Sequence, residues 1–221
     1  MRLLQREGLR VIFPPDQTCC GQPAYNSGYR EEARRVASAQ LELFPQPYPI
    51  VVPSGSCAGM MKHHYPELFA DTPWEAQARY VADRVWELTG FLTQALEIRL
   101  EDLGDPIQVA LHTSCSARRE MGVADATESL LNQLKQVELV EQDHKKECCG
   151  FGGTFAVKQP EISAAMVEDK TDSLRKTGAE LVTSQDCGCL MNIGGAFEKQ
   201  GQGAPRTCHI AELLWERTRE R

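Results

Sequence analysis

The nine cysteines are the residues of this 221-residue chain whose type and spacing most directly indicate chemistry. The tripeptide Cys-Cys-Gly occurs at 19–21 and again at 148–150. The other cysteines are Cys57, Cys115, Cys187, Cys189 and Cys208. Many thiols beside only five histidines favour soft metals, namely zinc, cuprous copper or iron–sulfur clusters. We therefore expect metal binding or redox chemistry rather than a scaffold of disulfides.

The cysteine pattern is repeated along the chain. Cys149 follows Cys20 by 129 residues (149 minus 20), and Cys187 follows Cys57 by 130 residues (187 minus 57). Both Cys57 and Cys187 come after a short β-type run, in IVVPSGSC and ELVTSQDC. Repetition at this long period predicts two copies of one supersecondary unit rather than a solenoid of short repeats.

The repeat also predicts where the units lie and what the first of them lacks. The segments 80–87 and 209–216 share residues at the same offset of 129 (209 minus 80), so we expect units at 1–100 and 101–221. The counterpart of Cys115 would fall at position −14 (115 minus 129), before Met1. The first unit is therefore expected to lack its leading strand and cysteine, either by truncation or by loss.

Apolar periodicity and turn residues predict alternating strands and helices in both halves. The predicted strands are 9–14, 49–54, 107–113, 137–142 and 180–184. The predicted helices are 29–44, 74–98, 117–134, 160–179 and 209–220. This alternation predicts an α/β fold of two pseudo-repeated units with parallel strands flanked by helices. Because the carboxyl ends of parallel strands open on one crevice, the cysteines that follow them are expected to converge there.

The second unit provides the larger set of candidate ligands. These are Cys115, Cys148, Cys149, Cys187 and Cys189. Five thiols exceed the four of a structural zinc site, whereas a cluster of several irons can use them. Gly150, Gly152 and Gly153 would let the backbone approach a cluster and direct N–H groups at its sulfides. A second, degenerate metal site is expected in the first unit at Cys19, Cys20 and Cys57.

Composition and charge exclude several classes of function. The formal net charge of −7 and a sequence pI near 5.3 argue against nucleic acid as a partner. No apolar run suggests a transmembrane segment or a signal peptide, so we expect a cytoplasmic protein. No GxGxxG fingerprint predicts a flavin or nicotinamide site.

The chain resembles the cysteine-rich CCG domain family through a combination of motifs that covers nearly its whole length. These motifs are QTCCGQPAYNSGY, VVPSGSCAGM, HTSCSARREMGV, ECCGFGGTFAVKQPEIS and CGCLMNIGGAF. The family includes the cysteine-rich subunit of heterodisulfide reductase and the iron–sulfur subunit of glycolate oxidase. The nearest likeness within it is to the cysteine-rich subunit of complexes that oxidise L-lactate without a flavin.

The resemblance implies electron transfer through an iron–sulfur centre, with partner subunits completing the oxidation of lactate to pyruvate. It implies a [4Fe–4S] cluster of the noncubane kind, held by Cys115, Cys148, Cys149 and the terminal pair Cys187 and Cys189. Because that pair reads CGC where the family has CxxC, the choice between Cys187 and Cys189 stays open. In the first unit Met60 stands where a second cysteine would follow Cys57, which leaves zinc or a degenerate site there as alternatives to a cluster.

Two other functions are compatible with the cysteines. One is a binding module that uses zinc only to fold. The other is a thiol–disulfide redox subunit that reacts through Cys148 or Cys149, as in a heterodisulfide reductase. For the leading hypothesis, the expected partners are companion iron–sulfur and lactate-utilization subunits and a redox partner. Through them the protein could also sit peripherally at a membrane.

Overall fold

In the computed structural model, which describes residues 1–201 and 203–220, two parallel β-sheets are flanked by helices. The smaller sheet pairs β1 (Ile50–Val52) with β2 (Val85–Glu87). The larger sheet has the order β4-β3-β5-β6. Its strands are β3 (Ile107–Leu111), β4 (Val137–Val140), β5 (Leu181–Ser184) and β6 (Arg206–His209). The predicted α/β fold with parallel strands is confirmed.

The helices cover both sheets and connect successive strands. Before β3 they are α1 (Arg2–Arg6), α2 (Gln22–Asn26), α3 (Arg30–Leu43), α4 (Gly55–Gly59), α5 (Tyr65–Leu68), α6 (Glu75–Ala82) and α7 (Leu88–Gly90). Turns of π-helix, Met60–His64 and Phe91–Ala95, continue α4 and α7. After β3 they are α8 (Cys115–Arg119), α9 (Ala124–Asn132), α10 (Phe155–Lys158), α11 (Pro160–Lys176), α12 (Cys187–Gln200) and α13 (Ile210–Thr218). Within the described residues, no helix is long and apolar enough to cross a bilayer.

Local sequence explains the elements that surround the second Cys-Cys-Gly triplet. All four residues of β5 are buried, because this strand lies between β3 and β6 and is covered on both faces. Helix α11 begins at Pro160, whose fixed φ suits the first helical position. Gly178, with φ +71°, follows the last turn and reverses the chain toward β5.

The main apolar core draws on both halves of the sequence. Its buried members include Leu88, Phe91 and Leu92 from the first half, and Val109, Leu181 and Leu213 from the second. A second cluster surrounds Cys20, and a third surrounds Cys149. Each Cys-Cys-Gly triplet thus rests on its own apolar layer, while the two predicted units share the main core. Their division at residue 100 stays a prediction.

The strand predicted at 9–14 was wrong. The segment is irregular, and Ile12 and Phe13 are 56% and 62% exposed. At the repeat offset this segment corresponds to β4, which pairs only with β3. No strand among the described residues corresponds to β3 in the first half, so the segment has no described strand with which to pair.

Two predicted helices are in fact interrupted. The helix predicted at 74–98 ends at Ala82, gives way to β2, and resumes as α7. The helix predicted at 117–134 begins at Cys115 and is divided into α8 and α9 by a turn at Gly122, where φ is +64°. Apolar residues keep a helical spacing across both interruptions, and for this reason the sequence predicted single helices.

The matched tails at 80–87 and 209–216 do not occupy equivalent places. The first ends in β2, whereas the second begins at the end of β6, a strand that the sequence did not predict, and continues through α13. The structural counterparts are Glu87 and His209, 122 residues apart (209 minus 87). Each ends a strand and caps the next helix, by accepting backbone N–H groups at 2.7 Å and 3.1 Å respectively.

Candidate metal centre

The large sheet and the helices that follow its strands position the second-unit cysteines. Cys115 is the first residue of α8, four residues after β3. The Oγ of Ser114 accepts the backbone N–H of Ala117 at 3.1 Å and fixes the start of that helix. Cys187 and Cys189 begin α12, three and five residues after β5. These thiols therefore lie at the carboxyl ends of neighbouring strands, as expected.

The Cys-Cys-Gly turn is held against the same edge by α11 and α12. The N–H of Gly150 donates to Sγ of Cys148 at 3.4 Å, and the Oγ of Ser163 donates to the carbonyl of Gly150 at 2.9 Å. The amide of Asn192 donates to the carbonyl of Cys149 at 2.7 Å. Gly150 has φ +82°, and a Cβ there would lie 2.7 Å from the carbonyl oxygen of Ser163. Glycine is required at this close contact.

Four thiols form a connected group in this turn and around it. The thiol of Cys148 interacts with those of Cys115 and Cys149, and the thiol of Cys149 in turn with that of Cys189. The neighbouring Cys148 thiol and then burial raise the pKa of Cys115. The Cys148 thiol lowers the pKa of Cys149, but Cys189 and burial outweigh it and raise the pKa to about 12. Thiolates this close repel one another, and a bound cation would relieve that repulsion.

His112 joins this group, although the sequence did not single it out. A ring nitrogen of His112 and the sulfurs of Cys149 and Cys189 all lie within 4.8 Å of one another. His112 is 1% exposed, and burial lowers the pKa of its imidazole to about 3. Its position at the end of β3, three residues before Cys115, was the signal that could have identified it.

Lys170 brings a buried positive charge to the same region. Its side chain, on α11, is 2% exposed and donates to the carbonyl of His144 at 2.8 Å and to Oε1 of Gln142 at 3.3 Å. Burial lowers the pKa of Lys170, while Glu147 and the cysteine thiols act in the opposite direction. A buried ammonium beside several thiols suits a site that carries negative charge.

The structure separates the two cysteines of the terminal CGC. Cys189 lies with Cys149 and His112, whereas Cys187 is exposed and hydrogen-bonds to none of these thiols. Burial and then Asp186 raise the pKa of Cys187. Because helical residues two apart point in nearly opposite directions, a CxC pair on α12 cannot face one site together. This geometry favours Cys189 as the ligand.

Gly152 and Gly153 continue the turn with φ +51° and +61°. A Cβ on Gly152 would lie 2.8 Å from Cβ of Phe155, so a side chain there would be crowded as well as strained. Gly153 lies near Pro23 of the first unit. The glycines thus give the loop its shape. Their N–H contacts to a cluster stay a prediction.

The first Cys-Cys-Gly triplet forms a smaller site. The N–H of Gly21 donates to Sγ of Cys19 at 3.4 Å, as in the second triplet. The sulfurs of Cys20 and Cys57 lie 3.4 Å apart, and the hydroxyl of Tyr65 donates to the carbonyl of Cys20 at 3.0 Å. The hydrogen bond from Cys20 lowers the pKa of Cys57 to about 7. Cys20 and Cys57 thus lie together, and a metal site formed by them with Cys19 stays a prediction.

Asp186 connects the two sites. Its Oδ1 accepts the hydroxyls of Ser54 and Ser56 at 2.7 Å each and the N–H of Ser56 at 3.0 Å. Its Oδ2 accepts the hydroxyl of Ser114. Since these residues adjoin Cys57, Cys115 and Cys187, one carboxylate that is 3% exposed ties three cysteine-bearing loops together.

The donors around the second triplet fit an iron–sulfur cluster or another soft metal. The set is four thiols and one imidazole, with both imidazole nitrogens buried and unpaired among the described residues. Thiolate and imidazole are the ligands that zinc and iron accept in proteins. The cysteines are close enough to bind a metal.

Comparison with known proteins places the chain in a family. The profile of the cysteine-rich CCG domain matches residues 1–62 and 109–194. The chain is 46% identical to lactate utilization protein A of Shouchella clausii, over 97% of this chain and 89% of that protein. It is 43% identical to lactate utilization protein A of Bacillus subtilis, over 97% of this chain and 90% of that protein. The chain thus belongs to the lactate utilization protein A family of cysteine-rich CCG-domain proteins.

Proposed function

We propose that the protein is an iron–sulfur electron-transfer subunit of an assembly that oxidises L-lactate to pyruvate. One observation carries this proposal: Cys115, Cys148, Cys149 and Cys189 form one connected group at the carboxyl ends of parallel strands. The four thiols and the imidazole of His112 are five donors, one more than a tetrahedral zinc binds.

The proposed cluster is a [4Fe–4S] centre, of the noncubane kind, in the second half of the chain. It would be held by the four connected thiols. Such a cluster accepts and returns single electrons. The chain's own contribution is to fix the thiols at two strand ends, to exclude water by the apolar layer around Cys149, and to place Lys170 nearby.

Partner subunits would complete the reaction. The relatives are named for lactate utilization, which supports a role for this chain in the same process. Lactate binding and the companion iron–sulfur centres are assigned to those partners, since the described residues of this chain offer a cysteine site with an adjacent lysine rather than a cleft for a carboxylate substrate. The cytoplasm stays the predicted location, with membrane association only through partners.

The test is purification without exposure to air, followed by assays of iron and acid-labile sulfide and by electron paramagnetic resonance. We expect iron and sulfide in near-equal amounts and a signal from a paramagnetic cluster. If protein that was never exposed to oxygen contained zinc but no sulfide, the result would contradict the proposal and favour the zinc-stabilised module.

A second function, thiol–disulfide chemistry, is favoured by the geometry of the first unit. Sγ of Cys57 lies 3.4 Å from Sγ of Cys20, and the described residues around this pair offer fewer donors than those of the second unit. Attack of the Cys57 thiolate on a partner disulfide would give a mixed disulfide. Cys20 would then displace the partner thiol and leave a Cys20–Cys57 disulfide.

Single serine variants separate these functions. Under the disulfide mechanism, Cys20→Ser would trap a mixed disulfide through Cys57, visible by mass spectrometry of the intact protein. If the first unit holds zinc instead, Cys20→Ser and Cys57→Ser would each release about the same amount of metal and trap nothing.

A further inference from the structure

The imidazole of His112 has no role in the ligand set carried over from the CCG family. It lies at the end of β3, and its backbone N–H donates to the carbonyl of Thr183 on β5 at 2.9 Å. The ring is 1% exposed, yet neither Nδ1 nor Nε2 has a hydrogen-bond partner among the described residues. Leaving buried polar atoms unpaired destabilises the folded protein, so such atoms usually mark a missing partner.

The surroundings of His112 show which partner would fit. One ring nitrogen lies within 4.8 Å of the sulfurs of Cys149 and Cys189, which are themselves within 4.8 Å of each other. Two sulfurs and a nitrogen at these separations can all reach one ion, because metal–sulfur and metal–nitrogen bonds are about 2.0–2.3 Å long. A water molecule would satisfy a nitrogen but not the paired thiols.

The charged groups on the neighbouring elements do not pair with the ring nitrogens of His112. Lys170 of α11, Asp186 before α12 and Arg118 of α8 all act on the imidazole at a distance. Asp186 already accepts hydrogen bonds from three serines, and Lys170 already donates to His144 and Gln142. None of these groups hydrogen-bonds to the ring.

We propose that His112 is a nitrogen ligand of the metal centre, bound to the same iron as Cys149 or Cys189. The centre is then a mixed sulfur and nitrogen site rather than an all-cysteine one. The inference rests on the proposed iron–sulfur function and adds a ligand to it. A neutral imidazole as the added ligand, instead of a fifth thiolate, makes the site less negative, which favours its reduced form.

The experiment is pulsed electron paramagnetic resonance on anaerobically purified protein that contains histidine labelled with a heavy nitrogen isotope. We expect strong nitrogen coupling in the wild type that changes with the label and is lost in His112→Ala. Iron content should fall several-fold in His112→Ala. In His112→Cys we expect iron to be restored, because a thiolate can bind in place of the imidazole, and the nitrogen coupling to stay absent.

The matched control is His144→Ala, since the His144 side chain is 67% exposed and lies on the loop before the Cys-Cys-Gly turn. It should keep the iron and the nitrogen coupling. A wild-type cluster with no label-sensitive nitrogen coupling would overturn the role of His112 and leave the proposed function intact. Wild-type protein without iron and sulfide would overturn both. Circular dichroism checks the folding of each variant, and His112→Cys tests the assignment if His112→Ala does not fold.

Discussion

The two Cys-Cys-Gly turns share a backbone and differ in what surrounds it. In both, the glycine N–H donates to the first cysteine sulfur at 3.4 Å, and the glycine φ is between +80° and +90°. Around the second turn lie three further thiols or imidazoles and a buried lysine. Around the first lie one further thiol, buried methionines and Tyr65.

This difference shows that the turn is a scaffold and that the neighbouring elements determine what it can bind. Cys115 and His112 both come from the end of β3, and the first half has no corresponding strand among the described residues. Among the described residues, the end of β3 therefore accounts for two of the donors that the second turn has and the first turn does not. The thiol described beside Cys20 is that of Cys57, and a close thiol pair of this kind suits zinc or disulfide chemistry.

The largest expected effect comes from serine in place of the second cysteine of the second turn. We expect Cys149→Ser to lose most of the iron, because Cys149 contacts Cys148, Cys189 and His112. Cys20→Ser is the matched control, since Cys20 is also buried and holds the same place in its turn. It should keep the iron. Equal loss of iron from both variants, measured by colorimetric assay, would mean that the two sites are alike.

Gly150→Ala tests whether the second turn tolerates a side chain. Its Cβ would need the left-handed region and would lie 2.7 Å from a backbone oxygen. Gly178→Ala has the same backbone requirement, with φ +71°, but no atom within 4 Å. We expect a loss of about 1–2 kcal/mol in the free energy of unfolding for Gly178→Ala. For Gly150→Ala we expect about 1–3 kcal/mol more, from overpacking. Urea unfolding of the metal-free variants measures both, and equal losses would contradict the close contact.

Lys170→Met tests whether the buried charge sets the potential of the second site. Removal of a nearby cation disfavours the added electron, so the reduction potential should fall by roughly 50 mV. That figure corresponds to about 1 kcal/mol, the Coulomb energy of unit charges about 17 Å apart at an effective dielectric constant of about 20, so it is a lower bound for a closer ammonium. Lys176→Met, an exposed position on the same helix, is the control. A redox titration in which both variants match the wild type would exclude this role for Lys170.

The smallest effect is expected for Cys187→Ser. Because Cys187 is exposed and apart from the connected thiols, the iron content should stay close to that of the wild type. Cys189→Ser, two residues away, should lose iron as Cys149→Ser does. If Cys187→Ser lost iron and Cys189→Ser kept it, α12 would have to rotate when the metal binds, and the assignment of Cys189 as a ligand would be wrong.

The sequence predicted the parts of this molecule that have strong local signals. The apolar runs of β1, β3 and β5 and the repeated triplets identified the parallel strands and the cysteine sites. β6 was missed because Arg206 and Thr207 interrupt any apolar run, and its place depends on pairing with β5. β2 has only three residues and continues a helical pattern.

The site was predicted less completely than the fold. A lone histidine carries no spacing signal, so His112 becomes visible only when the neighbouring strand end and the Cys-Cys-Gly turn are brought together in space. The split of the CGC pair follows from helix geometry, but only once Cys187 is known to begin α12. Buried Lys170 likewise looks like any exposed lysine in sequence.

The carboxylate of Asp186 has a consequence for how metals are loaded. It accepts hydrogen bonds from the serines near Cys57 and from the serine beside Cys115. Ordering the loop that carries Cys57 therefore restrains the loop that carries Cys115, and the reverse. Filling one site therefore reduces the conformational entropy that the other site must lose on binding. Occupancy of the two sites should rise cooperatively in a metal titration, and Asp186→Asn should make the two binding events independent.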